Sequence, residues 1–121
     1  MKLLVVDDSR MARRLLIGLL RETGFQDADI LQGEHGEEGV MLWREHHPDL
    51  IFLDLTMPVM DGFKALQAIR AHDLKTPILV VSADVQSRAV SRVMADGADG
   101  FIDKSALQNE LEGHLRRLGF L

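Results

Sequence analysis

The sequence predicts an α/β domain built on one parallel β-sheet with helices on both faces. Short apolar runs alternate with segments of helical periodicity five times along the chain, a pattern typical of consecutive βα units. Residues 3–6, 50–53 and 78–81 are continuously apolar, as expected for strands that are covered on both sides. Because the sequence shows no repeat and no linker, we expect residues 1–121 to form a single domain.

The first helix is predicted from its cap and its periodicity. Ser9 is a favourable N-cap, and the helix that it opens is expected to end at Thr23-Gly24. Apolar residues recur at helical spacing and predict the buried face, whereas the arginines are expected to face elsewhere. The two sets are Met11, Ala12, Leu15, Leu16, Leu19 and Leu20, and Arg10, Arg13, Arg14 and Arg21.

Glycines, prolines and polar turns bound the other elements. These are a weak strand over residues 28–32, a helix over about 37–46, a helix around Phe63, Leu66 and Ile69, a helix over about 85–95 and a short strand over 100–102. Ser105 and Gln108 match a capping box, which predicts that Ser105 opens the last helix.

Composition limits the classes of function. The formal net charge is -5 and the pI is about 5.4, so nucleic-acid phosphates would repel the chain and direct DNA binding is not expected. There is no cysteine, which excludes disulfides and thiolate metal sites. The apolar segment near Met1 is too short for a signal peptide or a membrane span. We therefore expect a cytoplasmic monomer that neither binds nucleic acid nor inserts into a membrane.

Carboxylates stand at the ends of two apolar runs. Asp7 and Asp8 follow the first run, and Asp54 follows residues 50–53. The carboxyl ends of strands at the switch point of an open parallel sheet border one crevice, so these side chains are expected to converge. Three carboxylates in one crevice repel one another unless a cation joins them. An all-oxygen site that also keeps water and a phosphate suits Mg²⁺, with Mn²⁺ as a substitute.

Ser82 and Lys104 are predicted at strand ends on the same edge of the sheet. With Asp54 they suit phosphoryl transfer: an Asp is the nucleophile, a Lys and a metal neutralise charge, and a hydroxyl bonds the transferred oxygens. Each residue also has a simpler interpretation when taken alone. Asp7 and Asp8 would then cap the first helix, Ser82 would form a turn, and Lys104 would be a solvated surface lysine.

Four motifs, which span essentially the whole chain, carry a family resemblance. They are Val-Asp-Asp-Ser at Val6 to Ser9, Asp-Leu-x-Met-Pro-x-Met-Asp-Gly from Asp54 to Gly62, Ser82-Ala83, and Gly-Ala-Asp-Gly-Phe-Ile-x-Lys from Gly97 to Lys104. On these motifs the chain resembles the receiver domain of two-component response regulators. The resemblance implies a flavodoxin-like (CheY-like), doubly wound (βα)5 fold with a five-stranded parallel sheet in the order 2-1-3-4-5.

The resemblance also implies a role for each motif residue. Asp54 would accept a phosphoryl group from a histidine kinase in a Mg²⁺-dependent reaction. Asp8 and Asp54 would bind the ion directly, Asp7 would act largely through water, and the Thr56 carbonyl would complete the protein ligands. The residues expected to contact the phosphoryl group are Ser82, Ala83 and Lys104.

A conformational switch is part of the same expectation. When phosphate draws the Ser82 hydroxyl towards it, Phe101 would rotate inward and remodel the last two helices and the strand between them. Physically this is a population shift, because phosphate bonds better to one of two states. The remodelled surface would include Val90, Met94, Phe101 and Leu107.

Three positions depart from the family pattern. Ser105 follows Lys104 where the family usually has a proline joined by a cis bond. A cis bond to a non-proline residue costs about 2.5–4 kcal/mol, so we expect this loop to be either trans or strained. Phe101 stands where many members carry Tyr, and Asp103 replaces a commonly apolar residue.

We therefore expect a stand-alone receiver without an output domain in this chain, which controls binding to a downstream protein target. It is not expected to be an enzyme, although it would phosphorylate itself from small donors and lose the phosphate again. A histidine kinase or a phosphotransfer protein would be its upstream partner, in chemotaxis-type signalling or in a phosphorelay. One alternative is a receiver-like module that binds partners without phosphorylation. Another is a small phosphatase of the haloacid dehalogenase type, which usually has a second Asp where this chain has Thr56.

Overall fold

Five parallel strands run through the centre of the computed structural model, which describes residues 1–121. The strands are β1 (Lys2–Val6), β2 (Asp29–Gly33), β3 (Leu50–Leu53), β4 (Ile78–Ser82) and β5 (Gly100–Asp103). They lie in the order β2-β1-β3-β4-β5, and every neighbouring pair is parallel. The predicted fold and its 2-1-3-4-5 strand order are confirmed. The chain leaves β1 towards β2 and then returns to β3 on the other side, so the switch point lies between β1 and β3.

A helix follows each strand, and the five helices divide between the two faces of the sheet. They are α1 (Arg10–Glu22), α2 (Gly36–His46), α3 (Gly62–Arg70), α4 (Ser87–Ala95) and α5 (Leu107–Arg117). Helices α1 and α5 share one apolar core with Leu50 and Phe52 of β3, whereas α2, α3 and α4 share the other with Ile51 and Leu53. Successive side chains of a strand point to opposite faces, which explains why β3 serves both cores. None of the helices combines the length and the apolar character that crossing a membrane requires.

Helix α1 has a different buried face from the one predicted. Arg13 is 6% exposed, whereas Met11 is 68% and Leu15 is 61% exposed. Position 13 lies three residues before Leu16 and seven before Leu20, which are both buried, so it belongs to the same helical stripe. The prediction that Arg13 faces elsewhere is wrong, because its guanidinium finds polar partners at the strand ends that offset the cost of burying a charge.

The last helix begins later than predicted. A 3-10 turn, Lys104–Ala106, precedes α5, and the residue that caps α5 makes no side-chain capping bond. The Ser105 N–H and hydroxyl instead both donate to Asp103 Oδ1, at 2.9 and 2.8 Å. The predicted capping box of Ser105 and Gln108 is therefore wrong, because Asp103 draws Ser105 into the preceding turn.

Trp43 packs at the end of the molecule where α2 and α3 finish. It is buried, and its indole N–H donates to Asp73 Oδ2 at 2.9 Å. The Thr76 hydroxyl and backbone N–H donate to the same carboxylate, at 2.6 and 3.0 Å. Burial alone would raise the pKa of Asp73, but these hydrogen bonds hold it well below the ordinary value of 3.8. The carboxylate thereby fixes the indole between two helices.

The loop between β3 and α3 contains a strained residue that no sequence pattern predicts. Val59 has a φ of +68°, in the left-handed region that disfavours any side chain with a Cβ and β-branched ones most. Its side chain is 74% exposed, so little burial is gained in exchange for the strain.

Val59→Asn is expected to raise the free energy of unfolding by about 1 kcal/mol, because Asn tolerates the left-handed conformation. The matched control is Val85→Asn, at a residue that is 51% exposed and has no positive φ. We expect the control to change stability by less than about 0.5 kcal/mol. Urea unfolding of both variants followed by circular dichroism measures the difference. Equal shifts would show that the left-handed backbone does not limit stability.

Candidate functional site

Three carboxylates meet at the carboxyl edge of the sheet. Asp7 and Asp8 follow β1 and Asp54 follows β3, and these two strands flank the switch point. Oxygen atoms from the three side chains all lie within 4.8 Å of one another. Asp7 and Asp54 are buried, whereas Asp8 is exposed. The structure thus brings together the three acids that the sequence placed at strand ends.

The backbone around Asp54 is held on both sides. Its N–H donates to the Val6 carbonyl at 2.9 Å and so continues the sheet beyond β3. The loop then folds back, and the Gly62 N–H donates to the Leu55 carbonyl at 2.9 Å. A Cβ on Gly62 would lie only 1.9 Å from the Asp54 carbonyl oxygen. A glycine is therefore required for this loop to close over the residue.

Lys104 reaches into the crevice from the turn after β5. Its Nζ lies 2.7 Å from Asp7 Oδ2 and 3.4 Å from Asp54 Oδ2. Burial alone would lower the pKa of Lys104, but the hydrogen bond to Asp7 and the charges of Asp54 and Asp7 raise it above its ordinary value. The ammonium group therefore stays charged and partly offsets the repulsion between the two buried carboxylates.

Burial makes the negative charge of Asp54 costly. Burial, followed by the charge of Asp7, raises the pKa of Asp54 from 3.8 to about 6, although Lys104 acts in the opposite direction. A cavity of about 80 Å³ borders Asp54 beneath the crevice. The cavity walls are mainly apolar and include Val5, Leu16, Phe52 and Val81. One side of this carboxylate therefore lacks the polar surroundings that would stabilise its charge.

The carboxylate cluster fits a hard divalent cation. All of its donors are oxygen atoms, which Mg²⁺ prefers, and the exposed Asp8 leaves a path by which an ion keeps part of its water. A positive ion also favours the ionised form of each carboxylate, which opposes the effect of burial on Asp54. The side chain of Thr56, whose carbonyl was the fourth expected ligand, is exposed on the loop after Asp54.

Ser82 is buried at the end of β4, next to the exposed Ala83. The Ser82 Oγ accepts a hydrogen bond from the Asp84 N–H at 3.0 Å. The simpler interpretation, in which this serine forms a turn, is thereby confirmed, while contact of Ser82 and Ala83 with a phosphoryl group stays a prediction.

Comparison with known proteins identifies the family. The model of the response regulator receiver domain matches residues 3–116. The chain belongs to this family. Chemotaxis protein CheY from Halobacterium salinarum is 36% identical over 103 residues, which cover 85% of this chain and 83% of the relative. Chemotaxis protein CheY from Bacillus subtilis has the same identity over 103 residues, covering 85% of this chain and 84% of the relative.

A solved structure supports the same assignment. A chain in the crystal structure of the CheX-CheY-BeF3-Mg+2 complex from Borrelia burgdorferi superposes with a TM-score of 0.90 and is 28% identical, over 98% of this chain and 88% of that one. The protein is therefore a receiver domain of response-regulator signalling, and it is similar to CheY proteins. Receiver domains bind Mg²⁺ in an acidic pocket, and this receiver has an aspartate cluster that fits the ion.

The four residues expected to form the output surface of the receiver come from α4, the edge strand β5 and α5. Val90 and Met94 are four residues apart on α4 and so share one side of that helix. Phe101 on β5 is half-buried and packs against the core beneath α2, α3 and α4. Leu107, at the start of α5, packs against the opposite core.

The Lys104-Ser105 peptide of the receiver is trans, since the structure contains no cis peptide bond. Of the two outcomes expected for this loop, the trans form is the one observed. Lys104 nevertheless reaches the two buried carboxylates. The turn that carries Lys104 is therefore held by interactions other than a cis proline bond.

Arg13 supports the site and was not predicted from the sequence. Its Nη1 donates to the Asp7 carbonyl at 2.6 Å and its Nε donates to Gln32 Oε1 at 2.9 Å. Its Nη2 lies 3.6 Å from Glu34 Oε1. The guanidinium thereby joins α1 to the carboxyl ends of β1 and β2, through the backbone of Asp7 and the side chain of Gln32. The signal that could have revealed it is its position on the stripe of Leu16 and Leu20.

Proposed function

We propose that this receiver is a cytoplasmic phosphoacceptor. Asp54 would take a phosphoryl group from a phosphohistidine on a histidine kinase or phosphotransfer protein, and the phosphorylated form would bind a downstream protein target. The observation that carries the proposal is a buried carboxylate with a lysine Nζ 3.4 Å away and two further carboxylates within 4.8 Å. Resemblance to two CheY proteins named for chemotaxis favours a chemotaxis-type pathway.

The reaction follows from the charges in the crevice. An Asp54 carboxylate oxygen attacks phosphorus, the bond between phosphorus and the imidazole nitrogen breaks, and its electron pair stays on that nitrogen. The product is an acyl phosphate. Lys104 offsets negative charge on the transferred oxygens. When Mg²⁺ is held by Asp7, Asp8, Asp54 and the Thr56 carbonyl, it neutralises further charge at the same place.

Signalling would use the hydroxyl of Ser82. In the structure this group accepts a hydrogen bond from Asp84, and a hydroxyl can also donate one to a phosphoryl oxygen. A phosphate that attracts Ser82 stabilises the conformation in which Phe101 turns inward. The downstream target would then discriminate between the two states by the surface of α4, β5 and α5.

The first test is the intact mass of the protein after incubation with Mg²⁺ and acetyl phosphate. We expect one phosphoryl adduct, and none with Asp54→Ala or with EDTA, because the acceptor or the cation is then missing. Asp27→Ala, which removes an exposed carboxylate near the opposite edge of the sheet, should label like the wild type.

Three outcomes contradict the proposal. An adduct that persists in Asp54→Ala would place the acceptor elsewhere. In a second outcome, the protein forms no adduct under conditions in which a CheY relative is labelled, and a cognate kinase also transfers no phosphate to it. That pair of results would favour a receiver-like module that works without phosphate. Turnover of a free phosphomonoester would instead identify a phosphatase.

A further inference from the structure

We propose that Asp103 is a positioning residue, whose carboxylate holds the turn that presents Lys104 to Asp54. The inference rests on the proposed function, since it concerns the lysine that would assist phosphorylation of Asp54. It deepens that function by naming a residue that touches neither the acceptor nor its carboxylate neighbours.

Asp103 occupies the point where the chain leaves the sheet. It is the last residue of β5 and pairs with Ser82 of β4. Its backbone is still extended, with φ -67° and ψ 126°, while the next residue already belongs to the 3-10 turn. Its Oδ1 accepts two hydrogen bonds from Ser105, one from the N–H at 2.9 Å and one from the hydroxyl at 2.8 Å.

These bonds enclose Lys104. When an Asp side chain accepts the N–H of the residue two positions later, it closes a ring around the backbone of the residue between them. Here that intermediate residue is Lys104, and the next bond along the turn joins the Leu107 N–H to the Lys104 carbonyl. The backbone of Lys104 is therefore fixed from both sides, although no proline restricts it.

Because the Lys104 side chain is long, the direction of its backbone determines where the ammonium group lies. The side chain starts beyond β5 and ends 2.7 Å from Asp7, with β4 and β3 lying between β5 and β1. A long side chain with four rotatable bonds magnifies a small change in direction at its Cα. Misplacing a catalytic group by about 1 Å can cost on the order of a hundredfold in rate. Loosening the turn should therefore lower the rate of phosphorylation while the donor still binds.

Two variants separate the hydrogen bonds from the charge. Asp103→Ala removes both acceptor bonds, whereas Asp103→Asn removes the charge and keeps an Oδ1 that accepts the same N–H. Asp27→Ala controls for the loss of one carboxylate far from the site. Asp103→Val is a second variant that removes both acceptor bonds, and its β-branched side chain suits the extended backbone at this position.

Two readouts are measured. The first is the rate of phosphorylation by acetyl phosphate at saturating Mg²⁺, resolved into the first-order rate constant at saturating donor, written here as kcat, and the half-saturating donor concentration, written as KM. The second is the order parameter of the Lys104 Cε methylene from ¹³C relaxation, recorded without metal or donor. We expect Asp103→Ala to lower kcat about tenfold at unchanged KM and to lower the order parameter. Asp103→Asn and Asp27→Ala should stay within about twofold of the wild type in kcat, with wild-type order.

Each result decides the proposal. Wild-type kcat and Lys104 order in Asp103→Ala would overturn it, and so would an Asp103→Asn variant that is as impaired as Asp103→Ala, because charge would then be the cause. If Asp103→Ala does not fold, a lower Lys104 order in Asp103→Val supports the proposal and an unchanged one overturns it. If the wild type accepts no phosphate, the proposed function fails, and the order parameter alone decides whether Asp103 positions Lys104.

Discussion

Gly62→Ala is expected to lower the free energy of unfolding by about 3 kcal/mol or more. The added Cβ would lie 1.9 Å from the Asp54 carbonyl oxygen and 2.7 Å from the Leu55 Cα. Both are backbone atoms, and a closely packed interior cannot absorb such an overlap by turning a side chain. The loop would have to open, which also breaks the hydrogen bond from the Gly62 N–H to the Leu55 carbonyl.

The matched control is Gly113→Ala in α5. A Cβ at Gly113 meets no atom within 4 Å, so this substitution is expected to raise stability by about 0.5–1 kcal/mol through helix propensity. Urea unfolding monitored by circular dichroism compares the two variants. If the free energy of unfolding of Gly62→Ala lies within about 1 kcal/mol of the wild-type value, the tight closure of this loop over Asp54 is not required for the fold.

Asp54→Asn is expected to make the metal-free protein more stable at pH 7.5, by about 3 kcal/mol. Folding raises the pKa of Asp54 from 3.8 to about 6, so the folded state binds a proton more tightly than the unfolded state. The stability from a raised pKa is present below about pH 4 and is lost as the pH rises to about 6. Each pH unit between the two pKa values corresponds to about 1.4 kcal/mol. Asn resembles the neutral carboxyl and avoids this loss.

The pH and metal dependence of this stability difference test whether the buried charge of Asp54 causes it. The advantage of Asp54→Asn over the wild type should shrink towards zero as the pH is lowered from 7.5 to about 4. Saturating Mg²⁺ should also shrink it, since an ion that binds the folded wild type stabilises that protein more. Asp27→Asn controls for the loss of one negative charge. A pH-independent advantage of Asp54→Asn would refute the account based on a buried, ionised carboxylate.

Most of the architecture followed from local signals. Apolar runs, helix caps and glycines predicted all ten strands and helices to within a few residues, because each signal acts on its own segment. The burial of Arg13 was missed, since its partners Asp7 and Gln32 are contributed by β1 and β2. The position of Arg13 on the stripe of Leu16 and Leu20 signals burial, but a single helix carries no information about the polar groups from other elements that make burial of its charge possible.

The functional site likewise has a part that the sequence predicts and a part that it does not. The convergence of Asp7, Asp8, Asp54 and Lys104 was predictable, because parallel strands bring their carboxyl ends to one edge whatever the loops do. The bonds from Ser105 to Asp103 were not predicted, and the capping box was expected instead. The capping box pairs Ser105 with Gln108, three residues later, whereas the observed bonds pair Ser105 with Asp103, two residues earlier. Ser105 suits either role, and where the helix begins decides between them.

Trp43 gives the protein a natural optical probe of folding that is separate from its chemistry. It is the sole tryptophan and lies with Asp73 at the end of the molecule opposite the carboxylate crevice. Its fluorescence should therefore change when the chain unfolds and stay nearly constant when metal or phosphate binds. Because the lowered pKa of Asp73 keeps that carboxylate ionised in mild acid, the emission of the folded protein should also be steady as the pH falls towards 4.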